Sequence, residues 1–173
     1  MLSTQITEQL NQQINLECYS VNLYLQMSSW CHFHGMDGCR GFLQRQSHEE
    51  AIHLKKLFAY VNESGAMAIL GAQEAPPDTF SSVGDIFRQT YQHEQVITQH
   101  INDLVDTALQ EKDYSTFNLL QWFVAEQHEE ENLFKGILDK FDMLGDHKQS
   151  LYLIDQYVGR LNRELLAAGH SGK

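Results

Sequence analysis

Four segments of this 173-residue chain carry a carboxylate where a helical apolar pattern predicts a buried side chain. The apolar seams follow alternating steps of three and four residues, and each is interrupted near the middle of its segment. The interrupting residues are Glu17, Glu50 with His53, Glu94, and Gln127 with Glu130. Carboxylates with one imidazole and no thiolate form a hard, oxygen-rich ligand set, which favours iron or manganese over structural zinc.

The free-energy cost of burying these carboxylates together is the main argument for a metal. Moving an ion into low dielectric costs several kcal/mol, and two like charges about 4 Å apart repel by roughly 4 kcal/mol at an effective dielectric of about 20. A typical domain is stable by only about 5 to 15 kcal/mol. A single core Glu is more often a misread helix register, but that explanation fails for four at comparable depth. Two divalent cations would remove most of the repulsion, so we predict a two-metal site.

The order of the ligands suggests how two metals would share them. Glu50 and His53 are three residues apart and therefore neighbours on one helical face. We predict that Glu50 bridges the metals, because it lies at the centre of the set. Glu17 would join His53 at one metal, and Glu94 and Glu130 would complete the other, with Gln127 beside them. That second metal lacks an imidazole, so we expect it to be bound more weakly.

The elements that must position these residues are five segments with the periodicity of amphipathic helices, which predict an all-α fold. They run from about Thr4 to His34, Cys39 to Glu63, Ser82 to Lys112, Tyr114 to Leu144, and Lys148 to Ala168. Three of the links are short, which makes successive helices antiparallel neighbours. The link from Ser64 to Ser81 holds both prolines and is long enough to cross a bundle. We therefore predict one domain over residues 1–173, with a four-helix bundle at about 4–144, one long crossover, and a short fifth helix at about 148–168.

The fifth segment carries an apolar stripe for which a closed four-helix core has no interior place. The stripe consists of Leu151, Ile154, Val158, Leu161 and Leu165. We predict that it covers the end of the bundle or meets partner subunits, which favours self-assembly.

Composition excludes several classes of function. The net charge of -11 argues against nucleic acid, whose phosphates bind clustered Lys and Arg, and would instead attract cations. Three cysteines without CxxC spacing predict neither a disulfide framework nor a zinc cluster and fit a reducing cytosol. The N-terminus shows no signal-peptide pattern, and no apolar run reaches the roughly 18 to 20 residues of a membrane span. We expect a cytoplasmic protein without nucleic-acid or membrane partners.

At its candidate ligands the sequence resembles the bacterial non-haem ferritins, and the resemblance covers nearly the whole chain. It rests on Asn15-Leu16-Glu17 with Tyr24, Glu49-Glu50-Ala51-Ile52-His53, Tyr91-Gln92-His93-Glu94-Gln95, and Glu126-Gln127-His128-Glu129-Glu130-Glu131. It implies a ferritin-like subunit in a hollow shell of twenty-four copies that stores iron. Fe(II) would bind as a pair, be oxidised by O2 or peroxide, and move as Fe(III) to a mineral core.

The resemblance also implies roles for residues beside the pair. A third iron site would be formed by Glu49, Glu126, Glu129 and Glu130. Tyr24 would be a hydrogen-bonding and electron-donating neighbour of the irons. On residue pattern alone, the acidic run from Glu126 would be interpreted as a solvated face, and Tyr24 as an ordinary core tyrosine.

Bacterioferritins differ from this chain at two informative places. They carry Glu-x-x-His in the fourth helix, where this chain has Gln127-x-x-Glu130, and a haem-binding methionine in the second helix, where this chain has Ile52. We therefore expect no haem. The alternatives are a bacterioferritin-like or other carboxylate di-metal oxidoreductase of the same fold, a DNA-protecting mini-ferritin, and a metal-free helical interaction protein.

Overall fold

The computed structural model describes residues 1–145 and 147–170, and its regular elements are five α-helices. They are α1 (Thr4–Phe33), α2 (Asp37–Glu63), α3 (Val83–Gln110), α4 (Tyr114–Leu144) and α5 (Lys148–His170). α1 packs along α2 and α3 along α4, α1 also contacts α3, and α5 contacts α2 and α4. The predicted all-α four-helix bundle with a fifth helix is confirmed. The single domain predicted for residues 1–173 includes residue 146 and residues 171–173, which lie outside the described residues.

The helix ends differ from the predicted ones by a few residues. α2 begins at Asp37, ahead of the predicted start, and α5 continues beyond the predicted end at Ala168 to His170. α3 ends at Gln110 and does not reach Lys112, whose φ of 58° is incompatible with a right-handed helix. Among the described residues there is no helix whose length and hydropathy would suffice to cross a bilayer.

The long link predicted between the second and third helices is a helix-free segment over residues 64–82. Two asparagines of α1 hold it against the bundle. Asn11 Oδ1 accepts a hydrogen bond from the backbone N–H of Ile69 at 2.7 Å, and Asn15 Oδ1 accepts one from that of Gly71 at 2.7 Å. The segment therefore has defined contacts with α1 along its course from one helix pair to the other.

Two apolar clusters fill the bundle and leave a polar layer between them. One cluster includes Phe42, Phe87 and Phe134, and the other includes Ile14 and Leu57. Along each of the first four helices the predicted metal ligands lie between the residues of the two clusters. Antiparallel packing thus brings the middles of four helices to one level, as the sequence predicts.

The fifth helix closes one end of the bundle. Ile154 and Val158 are fully buried in the cluster of Phe42, so their stripe covers the bundle end. The neighbouring Asp155 is also buried, and its Oδ1 accepts a hydrogen bond from the backbone N–H of Cys39 at 2.9 Å. Since the residue preceding α2 makes no side-chain cap, this carboxylate from α5 satisfies a donor in its first turn.

Gly38→Ala tests this docking. A Cβ at Gly38 would lie 2.0 Å from the backbone oxygen of Asp155 and 3.0 Å from the nitrogen of Gly159. We expect the substitution to displace α5 and to lower the free energy of unfolding by about 1 to 3 kcal/mol, measured by thermal unfolding. At the control position Gly136 a Cβ meets nothing within 4 Å. Gly136→Ala should be neutral or stabilising, since Ala favours a helix by up to about 1 kcal/mol over Gly. Equal melting temperatures of the two variants would contradict the close approach.

Candidate metal centre

The predicted ligands from α1 and α2 meet at the middle of the bundle. Glu17, Glu50 and His53 each offer a ligand atom, and these atoms all lie within 4.8 Å of one another. His53 Nδ1 is 3.5 Å from Glu50 Oε2 and 3.9 Å from Glu17 Oε2. All three side chains are buried. This geometry places an imidazole nitrogen and two carboxylates around one point, as a metal site requires.

The ligands from α3 and α4 lie close enough to Glu50 for the charges of Glu94 and Glu130 to raise its pKa, and hydrogen bonds hold them in place. Glu94 accepts from the Tyr24 hydroxyl at Oε1 and from Gln127 Nε2 at Oε2, the latter at 3.0 Å. Glu130 Oε2 accepts from Gln46 Nε2 at 2.6 Å. The amide nitrogen of Gln127 therefore faces Glu94, and the Tyr24 hydroxyl contacts the same carboxylate. All of these side chains are buried.

Burial and mutual repulsion keep these carboxyls protonated to unusually high pH. Burial raises the pKa of Glu17 and of Glu50 well above the usual range, and the charge of a neighbouring carboxylate raises both further. Burial also raises the pKa of Glu94 to about 7. The pKa of Glu130 is raised well above its usual range, first by burial and then by the charge of Glu94. A divalent cation would displace these protons and supply the missing counter-charge.

One buried oxygen of Glu17 is available to a cation. Glu17 Oε1 accepts a hydrogen bond from Gln13 Nε2 at 2.7 Å. No N–H group among the described residues donates to the buried Glu17 Oε2, and the carboxyls of Glu17 and Glu50 can share a hydrogen bond only while one of them is protonated. Leaving such an acceptor unsatisfied costs about 1 to 3 kcal/mol. A metal bound between Glu17 Oε2 and His53 Nδ1 would satisfy both atoms.

Aromatic side chains of α4 fix the imidazole. The His53 ring meets Trp122 edge-on with centroids 5.4 Å apart, and meets Phe123 in the same way at 5.9 Å. Lys56 places its ammonium 3.9 Å from the centroid of the Trp122 ring. The His53 ring is thereby confined on the α4 side, and its Nδ1 remains directed at the carboxylates.

The four carboxylates expected to form a third site lie at the edge of this centre. Glu126 is partly buried, which raises its pKa, and the charges of Glu129 and Glu49 raise it further. The charge of Glu49 likewise acts on Glu130, the member shared with the main centre. Glu49 forms a close ion pair with Arg45 one turn earlier. The acidic group is thus near the main site, with one member engaged by a cation of the protein.

His93 lies next to a ligand in sequence, and its ring nitrogen pairs with a hydroxyl. Its Nε2 is 2.8 Å from Ser20 Oγ, and its ring meets Tyr19 and Tyr24 edge-on. Burial lowers the pKa of His93 to about 4. The imidazole therefore stays neutral at physiological pH and belongs to the packing behind Tyr24.

Sequence reasoning assigned no role to Gln13 or Gln46, although both are fully buried and donate to site carboxylates. A signal was present in each case. Gln46 interrupts the apolar seam of its helix, and Gln13 lies one helical turn before Glu17. Neither residue type indicates metal chemistry alone, so only the three-dimensional contacts reveal what they do.

Comparison with known proteins agrees with this arrangement. Residues 7–144 match the family profile of the ferritin-like domain. The bacterial non-heme ferritin of Campylobacter jejuni is 51% identical over 158 residues, which cover 91% of this chain and 95% of that relative. The bacterial non-heme ferritin of Escherichia coli is 45% identical over 164 residues, covering 95% and 99% respectively. Among solved structures, the open-pore ferritin of the hyperthermophilic archaeon Archaeoglobus fulgidus superposes with a TM-score of 0.89 at 40% identity, covering 92% of this chain and 98% of that one. The chain therefore belongs to the ferritin family, among the bacterial non-haem ferritins.

Proposed function

We propose that the protein stores iron by oxidising Fe(II) in pairs at the buried carboxylate centre. The Fe(III) then passes to a mineral inside a hollow shell. The observation that carries this proposal is the convergence of Glu17, Glu50 and His53 within 4.8 Å, with Glu94 and Glu130 close enough for their charges to raise the pKa of Glu50. The similarity to proteins named bacterial non-heme ferritins supports iron as the metal.

We assign each ligand a task. Glu50 lies near Glu17 and His53 and within reach of the charges of Glu94 and Glu130, and it would bridge the irons. Glu17 and His53 bind one iron, and Glu94 and Glu130 bind the other. Each Fe(II) gives up one electron, so a pair supplies the two electrons that reduce O2 to peroxide or peroxide to water. Protons displaced from the carboxyls on Fe(II) binding remain close to the reduced oxygen species.

Tyr24 fits the role of an additional electron donor. Its hydroxyl donates a hydrogen bond to Glu94, and burial followed by the charge of Glu94 raises the pKa of this phenol well above its usual value. The phenol therefore keeps its proton until an electron leaves, and Glu94 is placed to receive that proton. Gln127 holds the other oxygen of Glu94 and stays a candidate ligand of the same iron.

The acidic group formed by Glu49, Glu126, Glu129 and Glu130 is proposed as a third iron site beside the pair. Proximity supports this proposal, because Glu130 belongs to both sets and the charge of Glu49 raises the pKa of Glu130. For Glu49 to bind iron, the ion pair with Arg45 must open. Iron would then replace the guanidinium as its counter-charge.

We further propose that the chain assembles with copies of itself into a shell of twenty-four subunits, in the cytoplasm and without haem. Exposed large apolar side chains support assembly. They include Leu25 on α1 and Met67, Ile69 and Leu70 on the crossover, each about half exposed or more. A bacterioferritin-like oxidoreductase is the second candidate for the same ligand set, and a haem absorption band in the purified protein would favour it.

Aerobic Fe(II) titration tests the proposal. The purified protein should oxidise added Fe(II) faster than buffer does, with ultraviolet absorbance of Fe(III) rising until the paired sites are filled. Size-exclusion chromatography with light scattering should show a large closed assembly. Oxidation at the buffer rate would contradict the ferroxidase proposal, and a monomer in solution would contradict the shell.

A further inference from the structure

We propose that Gln13 and Gln46 are positioning residues of the metal centre, one for each metal. Each amide holds one oxygen of a terminal carboxylate, which directs the other oxygen to the metal. Neither glutamine binds metal itself. The inference rests on the proposed function, because it requires the two-metal site, and it concerns how the protein sets the geometry of that site.

Gln13 acts on the metal bound by Glu17 and His53. It lies on α1 one turn before Glu17, is fully buried, and donates Nε2 to Glu17 Oε1 at 2.7 Å. Glu17 Oε2 lies 3.9 Å from His53 Nδ1, and no N–H group among the described residues donates to it. Because the amide occupies one oxygen, Glu17 presents the other on the side of His53.

Gln46 acts on the metal bound by Glu94 and Glu130, and its orientation is determined by its neighbours. Its Oε1 accepts a hydrogen bond from Arg45, and its Nε2 donates to Glu130 Oε2 at 2.6 Å. A guanidinium has donors only, so the amide oxygen must face Arg45 and the amide nitrogen must face Glu130. The assignment of the two amide atoms is therefore fixed by chemistry.

Arg45, which contacts Gln46, also contacts the fifth helix. Arg45 Nε donates to Asn162 Oδ1 at 3.0 Å. Asn162, Arg45 and Gln46 thus form a chain of hydrogen bonds from α5 to the carboxylate of Glu130. The docking of α5 consequently bears on the geometry of the metal position beside Glu130.

The choice of glutamine has a physical reason. A buried amide costs free energy unless its polar atoms are bonded, and Gln13 Oε1 has no hydrogen-bond partner among the described residues, so packing alone would favour an apolar side chain at Gln13. A cationic donor would hold a carboxylate equally well, but its charge would repel the incoming metal. A neutral amide orients the carboxylate without that repulsion. Outer partners of this kind typically contribute about 10- to 100-fold to metal affinity.

Anaerobic titration with Co(II), which the site does not oxidise without O2, tests the inference on the assembled protein. Visible absorption would follow the filling of the two positions. Gln13→Leu should weaken one binding phase by about 10- to 100-fold and shift its absorption bands, leaving the other phase unchanged. Gln46→Leu should do the reverse, and Asn162→Ala should weaken the same phase as Gln46→Leu. Gln9→Leu is the matched control, because Gln9 lies one helical turn before Gln13 and therefore farther from Glu17. This variant should bind Co(II) with the parental affinities.

The outcomes separate this inference from the function on which it rests. Variants that keep both parental affinities, or that weaken both phases alike, would overturn the positioning role. Parental binding by Asn162→Ala would overturn the link to α5. A parent protein that bound no Co(II) would refute the two-metal site itself, and the inference with it.

Discussion

Glu50→Gln should slow aerobic Fe(II) oxidation by at least about 100-fold. The loss of a ligand should cost more than the loss of a residue that only hydrogen-bonds to a ligand, which costs roughly 10- to 100-fold. The ligand atoms of Glu50 lie within 4.8 Å of those of Glu17 and His53, and the charges of Glu94 and Glu130 also act on this carboxyl. An amide keeps the shape of the side chain but not the anionic oxygens that two irons would share. Stopped-flow absorbance after Fe(II) addition gives the rate.

The same substitution should raise the melting temperature of the metal-free protein, since it removes a buried carboxyl whose ionisation burial opposes. Glu63→Gln, at the exposed end of α2, is the matched control and should alter neither the rate nor the melting temperature appreciably. If Glu50→Gln oxidised Fe(II) at the rate of the control, Glu50 would not be the bridge.

The second large effect is on stability, which in the metal-free protein should fall as pH rises above the unfolded histidine value of 6.5. Burial raises the folded-state pKa of Glu17, Glu50, Glu94 and Glu130 above their unfolded values, to about 7 for Glu94. The folded protein then binds more protons than the unfolded chain. The contribution to stability is complete below the unfolded pKa and is lost as pH rises through the folded pKa.

The size and window of this effect follow from the same groups. One carboxyl contributes up to about 1.4 kcal/mol per pH unit while its two states differ by one proton. His93 acts in the opposite direction, because burial lowers its pKa to about 4, but only below the unfolded histidine value of 6.5. Above that pH the carboxyls act without this opposition. Differential scanning calorimetry should show the melting temperature falling with pH in chelator-treated protein and far less after Zn(II) is added. A melting temperature that rose over this interval without metal would contradict the buried carboxylate cluster.

Much of the site could be predicted because each ligand breaks an apolar seam at a position that a straight helix turns inward. The prediction of Glu17, Glu94 and Glu130 as ligands required only helical periodicity and the antiparallel packing that short links impose. The long helix-free segment was equally visible, since Pro76 and Pro77 exclude a helix there.

The hydrogen bonds that hold the ligands could not be predicted from helical periodicity. Whether Gln46 faces a carboxylate depends on how α2 and α4 are rotated toward each other, which periodicity does not determine. The link from Arg45 to Asn162 spans 117 residues and depends on where α5 docks. That docking in turn depends on the close approach of Gly38 to the backbone of Asp155, a contact without a side-chain signature.

The most direct test of the central claim is an anomalous diffraction map at the iron edge from crystals soaked anaerobically with Fe(II). We predict two adjacent peaks on either side of Glu50, one beside Glu17 and His53, and a weaker one beside Glu94 and Glu130. Iron bound only at surface carboxylates, with no peak among these five residues, would contradict the account.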